Sequence, residues 1–229
     1  MGLILHIDTA VDTASVALAR DGQLLDAGIH DIRNDHAAWL HEATRQLLIR
    51  TGNQPASLDA VAVSIGPGSY TGLRIGLAAA KGFCYALQIP LITIGTLEIM
   101  AGAMLARLQE EQPVTDVLLC PMIDARRMEA YIALYDHRLA AVVEPSAVIA
   151  DETFFLPWLE KYRIFFFGNG SPKLREKLVH EQAVFTDAVR SGAGDMILPA
   201  AKMFEQKNFA NLAYAEPLYI KEFYSPRRS

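Results

Sequence analysis

Val61–Gly82 reads V-A-V-S-I-G-P-G-S-Y-T-G-L-R-I-G-L-A-A-A-K-G. The apolar run ending at Ile65 predicts a buried strand. Gly66, Pro67 and Gly68 break it, and Ser69 or Thr71 can cap the helix that follows. On that helix Gly72, Gly76 and Ala80 recur every four residues and stack along one face. An interior glycine costs about 1 kcal/mol relative to alanine, so a helix that keeps several has a packing reason. Two readings stay open: the bare face admits a partner helix, or it packs on the protein's own sheet.

The glycine-rich turn matches none of the nucleotide or hydrolase fingerprints. A dinucleotide loop needs G-x-G-x-x-G, but after Gly66 and Gly68 the next glycine, Gly72, comes one residue late. A phosphate-cradling G-x-x-x-x-G-K-[ST] needs a Gly-Lys-Ser/Thr, which the chain lacks. Gly68-Ser69-Tyr70 does not supply the G-x-S-x-G of a hydrolase elbow.

Composition narrows the classes further. The 229 residues, 52% of them hydrophobic, suit one large domain or two lobes with ample core. A net charge of −5, with no basic run beyond Arg126-Arg127 and Arg227-Arg228, argues against strong autonomous nucleic-acid binding. Cys84 and Cys120 have no metal-like spacing and read as buried thiols in a reducing cytosol. No signal peptide is expected, since the first apolar run reaches Asp8 almost at once, and charged residues interrupt the apolar region 73–105. A cytoplasmic protein without a membrane segment is expected.

The order of elements repeats. Strands are predicted over Leu3–Asp8, Ala14–Arg20 and Gln23 to about Ile29. A helix capped by Asn34 or Asp35 follows, then the strand to Ile65, the glycine helix, a strand Leu91–Ile94 and a helix from Thr96. From Val117 the same succession returns: strands to Asp124, over Met128–Tyr135 and Ala140–Ile149, a helix over Asp151–Lys161, and a strand Ile164–Phe167. A helix from Pro172, a short strand near Phe185 and a helix over Gly194–Gln206 complete it. Asp8 and Asp124 each end the first strand of a copy. Duplication of so long a unit predicts two similar lobes, 1–110 and 111–229, facing each other across a cleft, with the last helix and tail able to return to the first.

The repeated unit resembles the ribonuclease H-like fold, and two tandem copies resemble the actin, sugar-kinase and Hsp70-like ATPase superfamily, an α/β class. I-L-H-I-D-T-A at 4–10, S-I-G-P-G-S-Y-T-G-L-R-I-G at 64–76, M-I-D-A-R-R-M-E-A-Y at 122–131 and A-E-P-L-Y-I at 215–220 together resemble the TsaB family. That resemblance implies a non-catalytic partner of a larger paralogue, TsaD, in forming threonylcarbamoyladenosine beside the tRNA anticodon, with the ATPase TsaE acting through the complex. It implies a homodimer when the chain is alone, tRNA contact only through the complex, no cofactor on this chain by itself, and ATP or ADP at the interface with the partner.

The resemblance also assigns sites. The two helices after the third and fourth strands form the partner surface, which puts His36, Trp39, Leu40, Ala43, Gly72, Leu73, Gly76 and Ala80 in it. TsaD carries a metal-binding H-x-x-x-H, and Thr96 and Met100 fall where its histidines would be. A hydroxyl and a thioether are poor substitutes for two imidazoles. His36 and His41 are five apart on one helix, at about 100° per residue, and so lie on separate faces; no metal is expected. A vestigial nucleotide cleft would use Asp8, Thr9, Asp124, Arg126, Gly168 and Gly170, although Asp8 reads first as an acceptor for turn amides.

Three enzymatic readings compete with this one. A two-metal nuclease wants an acid at the end of the fourth strand, where Val63-Ser64-Ile65 offers none. A small-molecule kinase could use Gly168-Asn169-Gly170 as its adenosine loop and Arg126 or Arg127 on phosphate, but its hairpins lack the Gly, Ser and Thr donors that wrap a triphosphate. A peptidase has no H-E-x-x-H and no Ser/His/Asp ordering to rest on.

Overall fold

The computed structural model describes residues 2–11, 13–31, 36–111, 115–149, 151–186 and 191–220. Two five-stranded mixed sheets carry the fold. In the first, β1 (Leu3–Asp8), β2 (Ala14–Arg20), β3 (Gln23–His30), β4 (Ala60–Ser64) and β5 (Leu91–Ile94) lie in the order β3-β2-β1-β4-β5. In the second, β6 (Val117–Asp124), β7 (Glu129–Tyr135), β8 (Ala141–Ile149), β9 (Arg163–Phe167) and β10 (Ala183–Phe185) lie in the order β10-β9-β6-β7-β8. Read from the other edge this is the same order, with the first three strands antiparallel and the last two parallel to the first. The chain is two tandem ribonuclease H-like lobes.

The pattern of each strand explains its place. All six residues of β1 and all five of β4 are buried, as central strands covered on both faces require. β3, at an edge, exposes Leu24, Leu25 and Ile29. Six helices cover the sheets: α1 (His36–Arg50), α2 (Tyr70–Leu87), α3 (Thr96–Glu111), α4 (Glu152–Leu159), α5 (Pro172–Arg175) and α6 (Ile197–Glu205). The proposed cap of α1 at Asn34 or Asp35 lies outside the described residues. α2 is capped by Ser69, whose Oγ accepts from the Gly72 amide at 3.2 Å. No helix among the described residues is long and apolar enough to cross a membrane.

Two segments cross between lobes. α3 lays Leu97, Met100, Ala101 and Met104 against Leu119, Ile123 and Phe167 of the second sheet. The turn Ala193–Met196 and α6 pack Met196 and Ala200 on Ile4, Ala62 and Ile94 of the first sheet. The chain then runs back along α2: the Ala210 amide donates to the Leu91 carbonyl at 2.8 Å, and the Leu218 amide to Ile65 at 2.7 Å. Lys81 Nζ, from α2, donates to the carbonyls of Ala213 and Ala215 at 3.3 and 3.1 Å.

The face of α2 expected to meet a partner turns inward. Gly72, Leu73, Gly76 and Ala80 are all buried, with Ala80 and Leu73 inside the first lobe. A Cβ on Gly72 would strike the carbonyl oxygen of Thr9, and one on Gly76 the Thr9 hydroxyl. The glycines let α2 settle on the β1–β2 turn, which corrects the partner-face reading for these four residues. Leu40 of α1, 0% exposed, is likewise core. Ala43 packs at its margin, and Trp39 stacks on His30 of β3, ring centroids 5.0 Å apart. Of His36 only the backbone position, at the start of α1, is described.

Candidate functional sites: an interlobe cleft and a helical groove

The first candidate is a cleft of about 790 Å³ between the lobes. The first lobe supplies the glycine turn and the start of α2, Pro67 to Thr71. The second supplies the β6–β7 turn, Asp124 to Arg127, and Asn169. The returning tail closes one wall with Leu218 and Tyr219. At its mouth the Arg74 guanidinium lies 3.9 Å from the Tyr70 ring centroid and donates from Nε to the Tyr219 hydroxyl at 3.0 Å.

The β6–β7 turn is built to hold arginines in an unusual conformation. Arg126 and Arg127 both have positive φ, 67° and 53°. Such turns ordinarily use Asn-Gly or Gly-Gly, and a bulky residue there costs about 1 kcal/mol or more. The turn is clamped from below. Lys173 Nζ reaches Asp124 Oδ1 and donates to the carbonyls of Arg127 (2.7 Å) and Glu129 (3.1 Å). Asp124 Oδ1 accepts the Arg126 amide at 2.7 Å, and Asn169 Oδ1 accepts the Asp124 amide at 2.8 Å. The Lys173 ammonium holds the Asp124 carboxyl below the usual carboxylate range.

Of the six residues assigned to a nucleotide cleft, Asp124 and Arg126 line this space. The other four do not reach it. Thr9 is buried and donates to the Gly72 carbonyl at 2.7 Å. Asp8 is 1% exposed and accepts from the Ala10 amide (3.0 Å) and Ser64 Oγ (2.6 Å) through the same oxygen. Burial pushes its carboxyl above the ordinary range against those hydrogen bonds, and nearby Asp195 adds to the rise. Gly168 and Gly170 sit where two backbones approach closely. A Cβ on Gly168 would collide with the Met122 carbonyl oxygen, and one on Gly170 would lie 2.9 Å from the Ile123 carbonyl carbon. Here glycine allows two backbones to touch.

Thr96 and Met100 are 1% and 5% exposed. Met100 packs in the cluster that joins α3 to the second sheet, and among the described residues Thr96 Oγ1 has no hydrogen-bond partner. Among the described residues no group of three His, Cys, Asp or Glu is placed to hold a metal ion.

The second candidate is an apolar groove of about 560 Å³ between α1 and α2. Its floor is Ile75, Ala79 and Phe83, and Ala78, Gly82 and Ala86 form its α2 rim, with Ala37 and His41 opposite on α1. A Cβ on Gly82 would meet nothing within 4 Å. This is a second small-residue stripe at spacing four, and the sequence carries it in plain view at 78, 82 and 86. The glycine-richer stripe at 72, 76 and 80 masks it in the sequence.

The sequence model described as TsaD: tRNA N6-adenosine threonylcarbamoyltransferase matches residues 30–215. The chain belongs to this family, as a member of its TsaB branch. The tRNA threonylcarbamoyladenosine biosynthesis protein TsaB of Escherichia coli (strain K12) is 29% identical over 95% of this chain and 94% of its own length. The protein of the same name from Bacillus subtilis (strain 168) is 29% identical over 78% of this chain and 75% of its own. Among solved structures, YeaZ from Pseudomonas aeruginosa superposes with a TM-score of 0.82 at 25% identity, covering 96% of this chain and 100% of that one.

Proposed function

We propose that this chain is a non-catalytic scaffold subunit in the formation of threonylcarbamoyladenosine in tRNA, docking through the α1/α2 groove onto a larger, TsaD-type catalytic paralogue. Family membership ties the chain to that modification. The observation that carries the docking reading is the groove itself. Its walls are small and apolar, and space above Gly82 is open. Without side chains in the way, another helix pair can approach closely enough to bury Phe83 and Ile75.

The non-catalytic reading rests on residue chemistry. The positions aligned with the paralogue's metal ligands are Thr96 and Met100, enclosed by packing, and the acid that ends β1 is sealed beneath Ala10 and Ser64. The TsaE ATPase then acts through the assembled complex, with ATP or ADP at the interface with the partner. tRNA is held by the complex, the free chain pairs with a second copy through the same groove, and the setting is cytoplasmic.

The test is co-purification with the TsaD-type paralogue, followed by a modification assay with each component omitted in turn. Association with loss of modification when this chain is left out is the expected result. Modification at full rate without it would refute the scaffold role. ATP turnover by the isolated chain would favour the kinase alternative.

A further inference from the structure

We propose that the interlobe cleft takes one unpaired nucleotide of the RNA substrate, with its phosphate on Arg126 and its base against the Tyr70–Arg74–Tyr219 cluster. The occupant is named as RNA on the strength of the function proposed above; the cleft chemistry stands on its own.

Three observations carry it. The first is the turn. Two consecutive arginines sit in left-handed conformations that glycine or asparagine would adopt without strain, and Lys173 ties the turn in place through two carbonyls. A strained conformation held by its surroundings marks a position kept for what the side chain does. Arg126 is exposed and lines the cleft. The second is the opposite wall. Tyr70 and Tyr219 have ring centroids 5.5 Å apart with their planes tilted by 35°, and the Arg74 guanidinium covers one face of Tyr70, so two aromatic rings and a guanidinium are gathered at this wall. Unpaired bases stack on such surfaces whatever their identity.

The third is charge balance. Arg126 and Arg127 line the cleft with Asp124 and Glu129, and Lys173 pairs with Asp124 from below, which leaves about one net positive charge, enough for one phosphate diester and too little for a triphosphate. A volume of about 790 Å³ exceeds a single nucleotide and leaves room for the strand to enter and leave. The net charge of −5 keeps the site weak on its own, which suits a contact that positions a substrate held mainly by another subunit.

The probe is a fluorescent anticodon stem–loop RNA titrated into the isolated full chain at about 50 mM salt. Saturable binding is expected. Arg126→Gly should weaken it by roughly fivefold or more and lower the log–log salt slope by about one. Tyr219→Ala should weaken it by a similar factor with an unchanged slope. Arg126→Gly relieves the turn, so its melting temperature should hold or rise, separating lost contact from lost fold. RNA binding unaltered by both variants, or absent at about 1 mM protein, would overturn the proposal. So would AMP occupying the cleft while the stem–loop does not compete for it. Association with the TsaD-type paralogue is read separately by gel filtration, so absence of RNA binding by the parent chain with association intact counts against the cleft, and RNA binding without association counts against the docking groove.

Discussion

The Thr9 hydroxyl donates to the carbonyl of Gly72 across 2.7 Å, and the space a Gly72 side chain would need is filled by the Thr9 carbonyl. The β1–β2 turn and the first turn of α2 are thus in backbone contact. Ser69 extends the seam, its amide donating to Ala10 at 2.7 Å. Gly72→Ala must move one backbone segment away from another, which protein interiors resist. The expected cost is about 2 kcal/mol, read as a fall in urea midpoint at unchanged slope. A midpoint within experimental error of the parent would show that the seam yields freely.

That contact also marks where reading the chain alone stopped. The order of strands and helices was legible because β1 and β4 are short, mostly apolar and fully buried, and because the succession repeats from Val117. Which face of α2 looks inward was not. The helix carries two small-residue stripes, Gly72-Gly76-Ala80 and Ala78-Gly82-Ala86, and period alone cannot rank them. Their neighbours can: Leu73, Leu77 and Cys84 are buried beside the first stripe, so the glycines there accompany core residues. The cleft was half legible. Arg126 and Asp124 announced themselves by a turn between strands, whereas Tyr219 and Leu218 reach it only because the tail folds back along α2, a contact far apart in sequence.

His6 makes stability depend on pH. It is fully buried on β1; Nδ1 donates to the Ala17 carbonyl at 3.3 Å, and among the described residues Nε2 has no partner. Burial pulls its pKa from 6.5 down to about 4, so the folded state holds the neutral ring where the unfolded chain would take a proton. Stability from this group is therefore complete above the unfolded value and is lost as pH falls toward about 4, at roughly 1.4 kcal/mol per pH unit. Asp8, Glu98 and Asp195, whose carboxyls burial raises, act in the opposite sense, gaining relative stability as pH falls. Comparison with His6→Gln cancels them. The parent should lose stability faster than the variant between about pH 6.5 and 4 in urea titrations; parallel profiles would mean the imidazole is not held neutral.

Lys81 fastens the returning tail by its hydrogen bonds to Ala213 and Ala215. Lys81→Met keeps the aliphatic stem and removes the donors. Since the site is only partly buried, global stability should drop by no more than about 1 kcal/mol. The local effect should be larger. Limited proteolysis after Tyr214, 82% exposed, should quicken well beyond what the change in global stability accounts for. Equal cleavage rates for parent and variant would show that the other contacts, the Ala210 and Leu218 backbone bonds and Arg74 to Tyr219, suffice to secure the tail.

Gly76 and Gly82 form a matched pair for the docking reading: both lie on α2, six residues apart, one sealed against Thr9 and the other open. Gly76→Leu should destabilise by about 3 kcal/mol or more, because the Thr9 hydroxyl and the Ile7 side chain leave no room. Gly82→Leu adds a better helix former over empty space, so its melting temperature should hold or rise, by up to about 1 kcal/mol in stability. Yet a leucine there stands across the groove between Ala78 and Ala86, where a close-packed partner must approach. Association with the TsaD-type paralogue, and self-association of the free chain, should fall together. Light scattering on Gly82→Leu, alone and with the paralogue, reads both. Unchanged assembly by a stably folded Gly82→Leu would move the docking surface off this groove, and Trp39 on the β3 side of α1 would be the next position to vary.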